Sequence, residues 1–170
     1  MVRILFVCLG NICRSPTAEG VFRHLVRERG LEDQVEIDSA GTGDWHVGKP
    51  PDLRSQEEAR WRGVDLSTQR ARTVDCDDYD NFDYVIAMDE ENLSDLRAGC
   101  PKALGHKLYR FTDFAPELGV RAVPDPYYGG GDGFARVFDI VERSAQGLLA
   151  ALEADGFKGG SLLTNRPNAG

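Results

Sequence analysis

The sequence predicts an α/β fold: a single domain built on a central four-stranded parallel sheet with helices on both faces. Three observations carry that expectation. Short apolar runs alternate with amphipathic stretches along the chain, the order that builds a parallel sheet with crossover helices. A length of 170 residues, 41% hydrophobic and 28% charged, suits one core. The last amphipathic stretch places Phe134, Val137, Phe138, Val141, Ala145, Leu148, Leu149 and Leu152 on one stripe, enough to cover such a sheet.

Residues 2–7 are an apolar run that reads as the first strand. A loop leads into a helix in which Ala18, Val21, Phe22, Leu25 and Val26 recur with helical period until Gly30. Ser15 is its expected N-cap, and Pro16 suits its first position. A second strand is expected near 35–39, followed by a glycine-rich loop over 41–48 and a helix over 52–62. A short helical stretch at 76–80 precedes a third strand at 84–88. Asp89 is placed to N-cap a helix running to about residue 98, and residues 107–111 read as the fourth strand. Residues 112–132 are rich in Pro and Gly and too long for a mere connection. Following the last strand, this segment emerges on the edge where the first strand's loop lies and where such sheets bind ligands.

That first loop, residues 8–15, reads CLGNICRS. Five residues between Cys8 and Arg14 can curl around one tetrahedral oxyanion, aiming successive amides at its oxygens with the sulfur beneath its central atom. The N-terminus of the following helix adds positive potential at the same spot. Thiols in such surroundings ionise near ~4–7 instead of ~8.5, so Cys8 reads as a nucleophile. Arg14 presents a planar fork that binds two phosphoryl oxygens and follows their charge into the transition state. A buried cysteine ending a strand and an arginine capping a turn would be merely structural. Against that stand the strand, the loop, the helix start, Gly10, and Asn11, a residue type that tolerates left-handed backbone. The segment therefore reads as a phosphate-binding loop after the first strand.

These residues belong to five collinear blocks. They are V-C-x-G-N-x-C-R-S-P-x-A-E at 7–19, D-S-A-G-T at 38–42, and W-H-V-G at 45–48 with Pro50 and Pro51. F-D-Y-x-x-x-M-D at 82–89 and D-P-Y-Y at 125–128 complete the set. The blocks resemble the low-molecular-weight protein tyrosine phosphatase family over about residues 1–155. The resemblance implies hydrolysis of tyrosine-phosphorylated proteins through a phosphocysteine intermediate, with inorganic phosphate as product. Residues 1–156 would form the phosphatase domain, and the Gly- and Pro-containing residues 157–170 a flexible tail.

The resemblance also distributes roles. Asp125 would protonate the leaving phenolic oxygen and then, as a carboxylate, activate the hydrolytic water; an Asp-Pro pair alone would read as a turn. Leu9, Gly10, Asn11, Ile12, Cys13 and Ser15 would surround the phosphate, and Trp45, Tyr127 and Tyr128 would wall a slot deep enough for phosphotyrosine but too deep for phosphoserine. Asn11, Ser15 and Ser39 would hold the loop open through hydrogen bonds. Gln69 stands where the family often has histidine, before Arg70, Ala71 and Arg72; glutamine bonds without carrying charge, so the network should persist with an altered pH response. Cys13, five positions from Cys8, would condense with an oxidised Cys8 and protect it.

Other classes fit less well. A net charge of −8 argues against a nucleic-acid groove and requires a local positive site to draw an anionic substrate. No apolar run approaches the ~20 residues of a membrane span, and the N-terminal run is too short for a signal peptide, so a cytoplasmic protein is expected. Cys8, Cys13, Cys76 and Cys100 lack C-x-x-C pairing and a close histidine, so no metal site, cofactor or structural disulfide is expected. His24, His46 and His106 are scattered and receive no catalytic role. Three alternatives on the same scaffold remain. Arsenate reductases of this type relay oxidation through two further cysteines close in sequence, whereas Cys76 and Cys100 are 24 positions apart. Phosphoarginine phosphatases tend to carry threonine where Ile12 stands. A silent phosphotyrosine-binding module would be expected to lose Cys8, Arg14 or Asp125, and all three are present.

Overall fold

Strand β1 (Val2–Cys8) is buried through nearly its whole length, and the alternation of its side chains divides the core into two layers. Ile4, Phe6 and Cys8 pack with residues of α1 (Arg14–Glu28) and α5 (Gly133–Asp155), whereas Leu5 and Val7 pack with residues of α3 (Asp78–Asn81) and α4 (Glu90–Gly99). In β3 (Tyr84–Ala87), Tyr84 and Ile86 join the first layer and Val85 and Ala87 the second. The structure is a computed structural model and describes residues 1–127, 130–162 and 164.

With β2 (Val35–Gly41) and β4 (Leu108–Arg110), the strands stand in the order β2-β1-β3-β4, every pair parallel. The chain leaves β1 for one side and returns on the other with β3. A crevice therefore opens beyond the carboxyl ends of these two strands, the position where open parallel sheets bind ligands. Cys8 ends β1 at that crevice, paired in register with Gly41. Among the described residues, no helix is long and apolar enough to cross a membrane.

The helix boundaries follow local chemistry with informative exceptions. Asp52 caps α2 (Leu53–Trp61) by accepting from the Arg54 amide at 2.8 Å, and Asp89 caps α4 by accepting from the Asn92 amide at 2.7 Å. Helix α1 instead starts at Arg14, with Cys13 in the cap position and no side-chain cap bond. Ser15 lies inside the first turn, not at the cap, because its oxygen is engaged by Cys8 and Asn11. Helix α3 lies later than residues 76–80, and the fourth strand is shorter than 107–111 because Phe111–Phe114 winds into a 3-10 turn.

The segment that follows α5 makes contacts with the sheet. The Tyr84 hydroxyl donates to the Gly160 carbonyl at 2.8 Å, the Leu162 amide donates to the Tyr109 hydroxyl at 3.0 Å, and Leu162 is buried in the α1/α5 layer. Composition flags the glycines but not the two tyrosine hydroxyls that hold Gly160 and Leu162. Residues 163 and 165–170 lie outside the described residues.

Helix α5 comes closest to the 3-10 turn at Gly147, where an added Cβ would lie 1.8 Å from the carbonyl oxygen of Phe114. Helix propensity alone predicts that Gly147→Ala stabilises by up to ~1 kcal/mol. The backbone clash outweighs this, and we expect a net loss of about 2–3 kcal/mol, read as a lower urea midpoint at unchanged m. A stabilised variant would show that α5 is free to move away.

Candidate active site

The loop after β1 is shaped from outside. The amides of Thr42 and Gly43 donate to the carbonyls of Cys8 (3.0 Å) and Leu9 (2.9 Å), and the Asp52 amide donates to the Ile12 carbonyl (2.8 Å). With these carbonyls turned outward, the amides of residues 9–13 have no protein acceptor among the described residues. They form a nest of donors at the N-terminus of a 15-residue helix, an arrangement suited to an anion. Gly41 makes the approach possible, since a Cβ there would meet the Leu9 carbonyl oxygen at 2.6 Å.

Asn11 turns the loop with φ of 56°. Its side chain offsets that strain with three bonds: Oδ1 accepts from the Arg72 amide at 3.0 Å, and Nδ2 donates to Ser15 Oγ at 2.8 Å and Ser39 Oγ at 3.0 Å. The Arg72 amide fixes which end of the side chain is oxygen, and the rest of the network follows from donor rules. Ser15 Oγ accepts from Asn11, so its own hydrogen is available to the Cys8 sulfur 3.0 Å away, with the Ala40 carbonyl at 3.5 Å as its other acceptor. Ser39 likewise accepts from Asn11 and donates to Glu19 Oε1 at 2.8 Å, while Glu19 Oε2 accepts from Arg23 at 2.8 Å. Burial raises the Glu19 pKa above its ordinary value, against the opposing pull of Arg23 and Ser39.

Arg14 is 3% exposed and starts α1 beneath the loop. Its Nη1 donates to Asp89 Oδ2 at 2.5 Å and to the Val123 carbonyl at 3.3 Å, and its Nη2 lies 3.6 Å from Asp125 Oδ2. Burial disfavours its charge, but Cys8, Asp89 and Asp125 outweigh burial and hold its pKa above the usual arginine value. Asp125 stands half-exposed at the lip, its Oδ1 accepting from the Tyr127 amide at 3.0 Å.

Together these groups line a cavity of about 320 Å³ formed by Cys8, Leu9, Gly10, Ile12, Cys13, Arg14, Trp45, His46, Asp125 and Tyr127. Trp45 lies over Gly43, where a Cβ would overlap its ring, and remains largely exposed at the mouth. Asn11, Ser15 and Ser39 lie behind the wall. Cys13 lines the cavity as a buried thiol whose pKa is pushed up to about 12, mainly by burial and then by Asp52. Tyr128 lies outside the described residues.

Gln69 departs from its expected place. Its Nε2 donates to the Pro16 carbonyl at 3.0 Å and its Oε1 is buried without a partner, so it braces α1 and is not bonded to Asn11, Ser15 or Ser39. Glu19 already accepts from Ser39 at that end of the network. Three groups at the site were given no such part by the sequence. Asp89, read only as a helix cap, also pairs with Arg14. Glu19 ends the first block's signature and anchors the serine chain. His46 lies at the wall, its ring 6.1 Å from that of Tyr127, and its place in the W-H-V-G block beside Trp45 is the sequence signal for it.

Comparison with known proteins bears on most of the chain. The family model for low molecular weight phosphotyrosine protein phosphatase matches residues 3–158. The low molecular weight protein-tyrosine-phosphatase YfkJ of Bacillus subtilis is 42% identical over 155 residues, covering 91% of this chain and 98% of its own. The crystal structure of a protein tyrosine phosphatase from Entamoeba histolytica, with Hepes in its active site, superposes with a TM-score of 0.89 at 40% identity, covering 92% of this chain and 99% of that one. A Drosophila arginine phosphatase superposes at 0.83 with 32% identity, covering 89% and 98%.

The close approach at Gly41 supplies a test of the cradle. Gly41→Ala forces Leu9 outward and breaks the convergence of the loop amides, so phosphate affinity should fall about tenfold or more in calorimetric titration. Unchanged affinity would mean that the loop shape does not depend on its β2 contact.

Proposed function

The chain belongs to the low molecular weight phosphotyrosine protein phosphatase family, and from that premise and the cavity's geometry we propose that it hydrolyses phosphotyrosine in proteins with Cys8 as nucleophile. The observation that carries the proposal is the convergence of the Cys8 sulfur, the amide nest, Arg14 and Asp125 on one cavity. In the first step the Cys8 thiolate attacks phosphorus, the bond to the aryl oxygen breaks, and protonated Asp125 gives its proton to the departing phenolate. The amides of residues 9–13 and the Arg14 fork hold the three non-bridging oxygens as charge shifts across them. In the second step Asp125 takes a proton from water as that water attacks the phosphocysteine, releasing inorganic phosphate and the thiolate. The Ser15 hydroxyl, aimed at sulfur, stabilises the thiolate as leaving group.

Substrate choice follows from the walls. Trp45, Tyr127 and Ile12 offer apolar surface to a flat phenyl ring, and the buried Cys8 favours a substrate long enough to reach its sulfur. The fold alone does not choose between aryl and guanidino substrates, since an arginine phosphatase shares it. Ile12 on the cavity wall favours the aryl ring. Only Cys8 and Cys13 among the cysteines line the cavity, which leaves an arsenate-reducing relay without a further thiol there. We assign the catalytic domain to residues 1–156, with the segment to Leu162 docked on it, and the working compartment to the cytoplasm, where cysteines stay reduced.

Cys8→Ser and Arg14→Ala should each reduce single-turnover phosphate release by more than a thousandfold while the fold, read by circular dichroism, stays intact. Activity within tenfold of the unmodified protein would end the cysteine mechanism.

Peroxide converts the Cys8 thiolate to a sulfenic acid with loss of hydroxide, and the Cys13 thiol then displaces water to give a disulfide. Cys13 lines the same cavity, and its raised pKa keeps it from reacting with peroxide directly; it condenses as it gives up its proton beside the oxidised Cys8. After peroxide and then dithiothreitol, the protein should regain most activity and Cys13→Ser much less. Equal recovery would make Cys13 purely structural.

A further inference from the structure

The segment that carries Asp125 is contacted from helix α2 by Arg54. Arg54 forms a forked pair with Asp52, its Nε 3.1 Å from Oδ1 and its Nη2 2.9 Å from Oδ2. Such two-point pairing fixes the guanidinium plane. Held there, Arg54 donates from Nη2 to the Tyr127 carbonyl at 3.4 Å, and its guanidinium carbon lies 5.6 Å from the centroid of the Tyr127 ring and 4.7 Å from that of Phe134. Tyr127 in turn donates its amide to Asp125. At the other end of the relay, the Asp52 amide holds the Ile12 carbonyl of the phosphate loop.

We propose that Arg54 is a positioning residue for the general acid: it sets the distance between Asp125 and the phosphate loop by tying Tyr127 to Asp52. The inference rests on the acid role of Asp125 described above. Without Arg54, the loop loses a cation held over two rings and a carbonyl contact, while the α2 cap, made by the Arg54 backbone amide, is kept. Asp125 then spends less of its time within reach of the leaving oxygen, and displacements near 1 Å cost up to ~10²-fold in rate. Phosphate binding should be spared, because the amide nest and Arg14 are untouched.

A double-mutant cycle tests this. Compare the native chain, Arg54→Ala, Asp125→Asn and the double variant on phenyl phosphate and on an aryl phosphate whose phenol is strongly acidic, reading kcat/KM and the inhibition constant for inorganic phosphate. Arg54→Ala should lower kcat/KM about tenfold for phenyl phosphate and less than about twofold for the activated ester, with the phosphate constant unchanged. In the Asp125→Asn background the same substitution should add less than about twofold. Arg54→Lys, which keeps the charge near Asp52 but not the flat fork, should fall between. Equal losses on both esters, or full additivity with Asp125→Asn, would overturn the positioning role. If Asp125→Asn alone shows no leaving-group dependence, the acid assignment fails first and takes this inference with it.

Discussion

The left-handed turn at Asn11 is the constraint on which the site depends. A loop of five residues returns to its start around a small anion only if one residue leaves the ordinary backbone regions, and here that residue brings the bonds that hold it there. Glycine would allow the turn, but it would leave Ser15 and Ser39 without their common donor and the Arg72 amide without its acceptor. The Arg72 guanidinium, paired with Asp38 and Asp78, anchors that amide to β2 and α3. One side chain thus couples loop curvature to the hydroxyl that faces the sulfur.

Electrostatics here is local. The chain carries a net charge of −8, yet the cavity at Cys8 presents a buried arginine, a fan of amides and a helix N-terminus. Asp89 does not cancel this field; it takes one edge of the guanidinium and leaves the other directed toward Asp125 and the cavity. The same carboxylate caps α4, so the orientation of the arginine and the start of that helix are set by one group.

The parts legible in the sequence are those in which neighbours along the chain are also neighbours in space. Cys8, the loop and Arg14 lie within seven consecutive residues, and the alternating elements gave the sheet and its open edge. Propensity assigns the Ser15 oxygen to the nearest amides, as a cap, whereas Asn11 and Cys8 engage it. Asp89 and Arg14 are 75 positions apart, and Arg54 and Tyr127 73, so no local pattern pairs them. Gln69 was placed by analogy of position; its real partner, the Pro16 carbonyl, follows from the packing of the segment after α2 against α1 at Gly20, where Leu66 leaves no room for a Cβ.

The packing of α1 against α5 has a consequence in time. The apolar stripe of α5 completes the layer that holds Phe6, Phe22 and the base of the cysteine strand, and it spans Gly133–Asp155. Residues leave the ribosome at about 5–20 per second, so on the order of ten seconds separates the emergence of the nucleophile from that of the helix that secures its platform. During that interval the apolar layer around β1 lacks its α5 side. The strand that ends in Cys8 is thus among the first parts made, and the layer that covers it is among the last to be completed.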